Sequence, residues 1–143
     1  MLPPFVTERI AEWLGTTILC SQPIAGGMIA QAACVETEDG PIFLKWSENA
    51  PDRLFAEEAH GLELMRQTRS IRVPRVLAVC DRTPDLPQDA IPSTFLALEY
   101  ISPQSPTNLA LFTCRFAEQL AALHRAKLRS DPGYGLDGDN FIG

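Results

Sequence analysis

The sequence predicts an α+β fold, a five-stranded antiparallel sheet with helices on it, and three observations carry that prediction. Between Gln22 and Trp46, apolar runs alternate with a Gly26-Gly27 turn and an Asp39-Gly40 turn, which is the pattern of hairpins. Directly afterwards Leu54, Glu58, Leu62 and Met65 recur at helical spacing, so a helix follows the meander. Two further apolar runs, Val73–Val79 and Thr94–Glu99, supply the remaining strands.

The elements follow in order. Thr7 reads as the N-cap of a first helix, with Val6, Ile10, Trp13 and Leu14 on one face and Gly15 as its stop. Gln22-Pro23-Ile24, Ala30–Thr37 and Ile42–Trp46 are the meander strands. Pro51 and Asp52 suit the first turn of the second helix, where a missing N–H costs little and a negative charge meets the positive end of the helix. Pro74 makes Val73–Val79 an entry or edge strand. Asp81–Ser93, with Pro84, Pro87 and Pro92, reads as an exposed loop. Ser102–Pro106 is an extended connector, after which Leu109, Phe112, Phe116, Leu120 and Leu123 mark a long helix ending near Leu128. Tyr134–Gly143 is rich in turn residues and lacks periodicity.

Composition limits the function. At 143 residues the chain can build one ordinary core, and a net charge of -6 argues against a nucleic-acid or anionic-membrane surface, either of which needs surplus cations. Arg66, Arg69, Arg72 and Arg75 cluster locally and read as a solvated helix end and loop. Cys20, Cys34, Cys80 and Cys114 never form a C-x-x-C pair, which leaves zinc-ribbon and thioredoxin chemistry without support and implies reduced thiols. The opening residues lack a basic segment followed by a long apolar core, and no window has the apolar length of a membrane span. The expected compartment is the cytoplasm.

One charged residue interrupts the run Pro41-Ile42-Phe43-Leu44-Lys45-Trp46. A lysine there is either a solvated edge residue or the partner of an anion. Its neighbours in sequence favour the second reading: a glycine turn upstream, a helix with Glu57 and Glu58 downstream, then the strand Phe95–Glu99 leading into Tyr100-Ile101. A nucleotide cradle of the kinase type needs a turn whose N–H groups approach phosphate, a lysine to neutralise it, and a carboxylate to hold that lysine. Gly26 and Gly27 can supply the first, with Met28 contributing backbone only. Lys45 supplies the second, and Glu58 the third, because Glu58 shares the apolar face of its helix while Glu57 lies about 100° away. Glu99, Tyr100 and Ile101 offer backbone at a strand edge for adenine. His124 reads as a histidine packed beside a leucine stripe, and with His60 makes no metal site or triad. Asp137-Gly138-Asp139-Asn140 lacks the later glutamate of a calcium loop.

Several stretches resemble the fructosamine kinase family, the ketosamine-3-kinases: Gly26–Gln31, Phe43-Leu44-Lys45, Phe55–Leu62, Ile71–Pro74, Leu98–Ile101, Leu120–Arg125 and above all Tyr134–Gly143. That family is related to aminoglycoside phosphotransferases and choline kinases and has a two-lobed, protein-kinase-like fold. The resemblance implies an N-terminal lobe over residues 1–101, then over 102–143 a connector and the first helical part of the second lobe. It implies ATP and Mg2+ as cofactors and a glycated amine as phosphoryl acceptor, in a deglycation repair. It makes Gly26 and Gly27 the phosphate loop, Lys45 the ATP lysine, Glu58 its partner, and Glu99 to Ile101 the hinge. Met28 and Ala30 stand where many members have cysteine and asparagine.

The family's His-Gly-Asp catalytic loop and metal-binding aspartate are absent from residues 1–143. No catalytic residue or metal ligand is therefore assigned, and the isolated chain is expected to be inactive. The apolar stripe of Phe116, Leu120 and Leu123 is expected to drive self-association through the helix 109–128. Two alternatives stay open, another small-molecule phosphotransferase of the aminoglycoside or choline type, and a non-catalytic nucleotide-binding or interaction module.

Overall fold

The computed structural model describes residues 2–25, 30–82 and 93–126. In chain order these form α1 (Pro4–Leu14), β1 (Ile18–Ile24), β2 (Gln31–Thr37), β3 (Gly40–Ser47), α2 (Leu54–Gln67), β4 (Val76–Cys80), β5 (Thr94–Glu99) and α3 (Leu109–Arg125). The strands make one antiparallel sheet in the order β1-β2-β3-β5-β4. The predicted α+β class and meander are both present. Gly40 at the β2–β3 turn has φ 109°, a conformation glycine adopts at little cost, and the Thr37 hydroxyl donates to its carbonyl at 2.7 Å.

Strand register sorts the side chains onto two faces. Leu44 pairs with Ala33 and Ala97, and these join Ile42, Trp46, Val35 and Phe95 in a core covered by α1. Two-residue periodicity puts Phe43 and Lys45 on the opposite face, where Phe43 packs with Leu96, Leu98 and Phe55 of α2. The sheet thus has one face packed against α1 and the other against α2, each helix lying chiefly over β4 and β5.

Helix boundaries depart from the sequence reading for local reasons. Thr7 does not cap α1; Pro4 starts the helix four residues earlier than such a cap would, since its fixed φ is already helical, and both the Thr7 N–H and hydroxyl donate to Pro3 O. Gly15 ends it with φ 64° as expected. Val6 and Ile10 are fully buried, each worth about 1.5–3 kcal/mol, whereas Trp13 is half exposed and touches Phe95 with ring centroids 5.6 Å apart.

Pro51 and Asp52 form a turn closed by Leu54 N–H on Pro51 O, and α2 begins only at Leu54, because Arg53 takes a left-handed φ of 64°. Met65, expected on the buried stripe, is exposed, and the fully buried side chain of α2 is Phe55.

β5 spans Thr94–Glu99 as predicted, and the other strands run longer or later. β1 starts at Ile18 and tolerates Pro23 because it is an edge strand. β4, the other edge, starts at Val76, two residues beyond Pro74, with an irregularity in register between Val76 and Ala78.

α3 is capped by Asn108, whose side chain accepts from Leu111 N–H at 3.0 Å. No residue of α3 is buried; Leu109, Phe112 and Phe116 are exposed and Leu120 and Leu123 only half-buried. His124, expected to pack, is exposed in the last helical turn. Leu128 and the Tyr134–Gly143 motif lie outside the described residues. Among the described residues no helix is long and apolar enough to cross a membrane, and Cys20, Cys34, Cys80 and Cys114 are free thiols.

Candidate functional site

Lys45 stands mid-strand, so its side chain leaves β3 perpendicular to the sheet on the face that carries α2. There the Lys45 Nζ donates to both oxygens of Glu58, at 2.7 and 2.6 Å. The side chains are 28% and 32% exposed, which leaves the ammonium sheltered but reachable from solvent. Nζ also lies 6.0 Å from the centroid of the Phe55 ring, close enough for a cation–π contribution. Glu57 is not a competitor, being held by Arg53 at 2.6 Å with its own side chain 14% exposed.

A shelf extends from this pair along β3 and β2. Lys45 pairs with Ala32 and Leu96, and two residues away Phe43 pairs with Cys34 and Leu98, so Ala32, Cys34, Phe43 and Leu98 share the face of Lys45. Ala32, Cys34 and Phe43 are half-buried. Burial and the nearby Glu36 carboxylate push the Cys34 thiol above its ordinary pKa, opposed by a hydrogen bond from Tyr100. Sequence reasoning passed over Ala32 and Cys34 because their place beside Lys45 exists only through the β2–β3 register.

Glu99 closes β5 and lies beside two arginines. Arg72 donates to its carboxylate at 3.0 Å, the Arg75 N–H at 3.2 Å, and the Arg75 guanidinium approaches to 3.9 Å. The Arg72 hydrogen bond, then the Arg75 N–H, hold this carboxyl below the ordinary glutamate range. The Glu99 N–H donates to Arg75 O at 2.9 Å, so the strand edge expected to be open to adenine is closed as far as that amide. The arginine cluster is exposed, as expected, but Arg66, Arg72 and Arg75 are paired with Glu63 or Glu99. Of the predicted site residues, the fold brings Lys45 and Glu58 together, sets Glu99 to Ile101 at the end of β5, and leaves Gly26, Gly27 and Met28 outside the described residues.

A family model described as fructosamine kinase matches residues 5–143. The chain belongs to the fructosamine kinase family. Among its relatives, "Protein-ribulosamine 3-kinase, chloroplastic" of Oryza sativa subsp. indica is 34% identical over 147 residues, covering 95% of this chain and 38% of that protein. "Probable ketoamine kinase" of Synechocystis sp. is 30% identical over 140 residues, covering 96% of this chain and 43% of that one. A solved structure from Haemophilus somnus 129PT, named "Putative fructosamine-3-kinase", matches with a TM-score of 0.73 at 28% identity over 96% of this chain and 43% of that one. Another from Thermobifida fusca YX-ER1 gives 0.70 at 30% identity, with the same coverage. The chain therefore spans less than half the length of these relatives, and its sheet and α2 have the architecture of the N-terminal lobe of a protein-kinase-like fold.

Proposed function

We propose that the chain carries the nucleotide half of an ATP-dependent ketosamine kinase, with Lys45 neutralising ATP phosphates and Glu58 holding it in place. The observation that carries this reading is the two-oxygen contact between Lys45 and Glu58 beside an apolar shelf. A mobile surface lysine points in many directions; one gripped by a carboxylate offers its remaining N–H donor toward a phosphate at lower entropic cost. On this reading adenine lies against Phe43, Ala32 and Leu98, with backbone at Tyr100 and Ile101 beyond the closed Glu99 amide. Gly26, Gly27 and Met28 would supply the phosphate loop.

The residues present fit ATP, and no Mg2+ ligand is assigned among them. When bound, ATP supplies the transferable phosphoryl group; this chain binds and orients it. The acceptor is a glycated amine, in keeping with the names of the relatives, and the residues that position its hydroxyl and hold magnesium lie outside residues 1–143. The lobe comprises residues 1–101, with 102–143 forming the connector and the start of the second lobe. The chain alone therefore binds nucleotide without transferring phosphate, and in isolation a second copy covers the exposed Leu109, Phe112 and Phe116 of α3. The reduced thiols fit a cytoplasmic setting.

Calorimetric titration with ATP tests the central claim. Lys45→Ala should weaken binding by about tenfold or more, the scale of a lost charge-assisted contact, and equal affinity would remove Lys45 from the site. Phosphorylation of a ketosamine by the 143-residue chain would overturn the claim that transfer needs more than this half. A monomer in sedimentation at micromolar concentration would overturn the self-association.

A further inference from the structure

α2 has no cap of its own. Its N-cap residue is Arg53, in the left-handed region, whose side chain pairs with Glu57 but caps no helix N–H, although the first N–H groups of any helix need partners. The partner comes from the end of β4. Asp81 Oδ2 accepts the Ala56 N–H at 2.8 Å, while Oδ1 accepts the N–H of Arg82 at 3.0 Å. The next residue grips the segment entering the helix: the Arg82 guanidinium donates to Glu48 O at 2.6 Å and Ala50 O at 3.4 Å. Two successive residues at the sheet edge thus hold the β3–α2 connection by its carbonyls and the first helical turn by an N–H group. Glu58 lies two residues past Ala56.

We infer that Asp81, with Arg82 beside it, is a positioning residue that fixes where α2 presents Glu58, and through Glu58 where Lys45 points. A helix held at its start only by its apolar underside can slide or rotate on the sheet, because hydrophobic contact is not directional; a carboxylate accepting from one particular N–H removes that freedom. The carboxylate also complements the positive end of the helix. Burial pushes the Asp81 carboxyl above its ordinary pKa, the N–H groups of Ala56 and Arg82 working against that rise. Its consequence for ATP rests on the nucleotide reading of Lys45; its consequence for the Lys45–Glu58 pair does not.

The test uses the chain's own lysines. Lys45 and Lys127 are the lysines of this sequence, so acetylation by an amine-reactive reagent, followed by peptide mass spectrometry, gives the Lys45 rate normalised to Lys127. Asp81→Ala should raise the Lys45 rate roughly tenfold, the lower end of what a hydrogen bond to an ionised group contributes. Asp81→Asn, whose amide oxygen can still accept from Ala56, should give a smaller rise. Ile10→Val, a truncation in the core on the far face of the sheet, destabilises without touching α2 and should leave the rate unchanged. A Lys45 rate in folded Asp81→Ala equal to that in Ile10→Val overturns the inference. If Asp81→Ala does not fold, Asp81→Asn decides by the same comparison. A parallel series with saturating Mg-ATP separates the two proposals. Failure of ATP to shield wild-type Lys45 overturns the nucleotide reading alone, whereas ATP shielding without any Asp81 effect overturns the positioning role alone.

Discussion

Replacing Glu58 with Gln keeps the shape of the side chain and removes its charge, which makes it the sharpest probe of the Lys45 pair. With Nζ 2.6 Å from the nearer carboxylate oxygen, the raw attraction at an effective dielectric of 20 is about 6 kcal/mol. Most of this is offset by desolvation and by the ordering of two long side chains, and about a third of each side chain stays in contact with water. Exposed pairs measure ~0.2–1 kcal/mol and broken buried pairs ~3–5 kcal/mol, so a coupling of about 1–2 kcal/mol is expected for this half-sheltered pair. A double-mutant cycle of Lys45→Met and Glu58→Gln, read from urea denaturation, isolates that coupling. It should shrink in 1 M salt, where the screening length falls to about 3 Å. A coupling below about 0.3 kcal/mol at low salt would refute the reasoning, since the pair would then hold neither the helix nor the lysine.

Other substitutions probe the framework around the pair. Phe55→Ala removes the fully buried side chain of α2 and should cost about 3–5 kcal/mol in urea denaturation, while Phe55→Leu should cost less than about 1.5 kcal/mol. Gly15→Ala meets no atom within 4 Å yet forces a Cβ onto φ 64°, so a loss of about 1–2 kcal/mol is expected from conformation alone, seen as a lower Tm. Glu99 has a depressed folded-state pKa; its contribution is present above the ordinary glutamate pKa and is lost as pH falls through the lower folded value. Glu99→Gln should therefore narrow its stability gap to wild type as a denaturation series descends through that acidic window, and a constant gap would refute the assignment.

The lysine and its glutamate were legible because each rests on a short-range rule. A charged residue inside an apolar run is visible to the eye, and helical periodicity alone separates Glu58 from Glu57. The sheet was legible for the same reason, one of its turns being written as Asp39-Gly40 and its cleanest strand as Thr94–Glu99. Residues whose role depends on long-range register were not. Cys34 becomes a neighbour of Phe43 only once β2 and β3 are aligned, and Asp81 looks like one more loop aspartate until Ala56, 25 positions earlier, is folded against it. Helix starts were misplaced where one residue overrode propensity: Pro4 advanced α1, and the left-handed Arg53 delayed α2.

The division of the sheet into two faces explains why such a small set of groups can be held ready. The face under α1 contains the larger core, with Val6, Ile10, Val35, Leu44 and Phe95 all fully buried, and it fixes the strand register that the other face inherits. A strand has side-chain period two, so fixing Leu44 and Trp46 inward toward α1 leaves Phe43 and Lys45 no choice but the opposite side. The smaller core under α2 then has only to place one helix, and Phe55 and the Asp81 carboxylate restrain it by different means, apolar contact beneath and a directed bond at its start. Losses on the α1 face should therefore reduce stability while leaving Lys45 chemistry intact, whereas losses at Asp81 should change Lys45 chemistry as well. Equal effects from both faces on Lys45 reactivity would mean that the pair reports general loosening of the fold, and the separation of framework from site argued from the register would not hold.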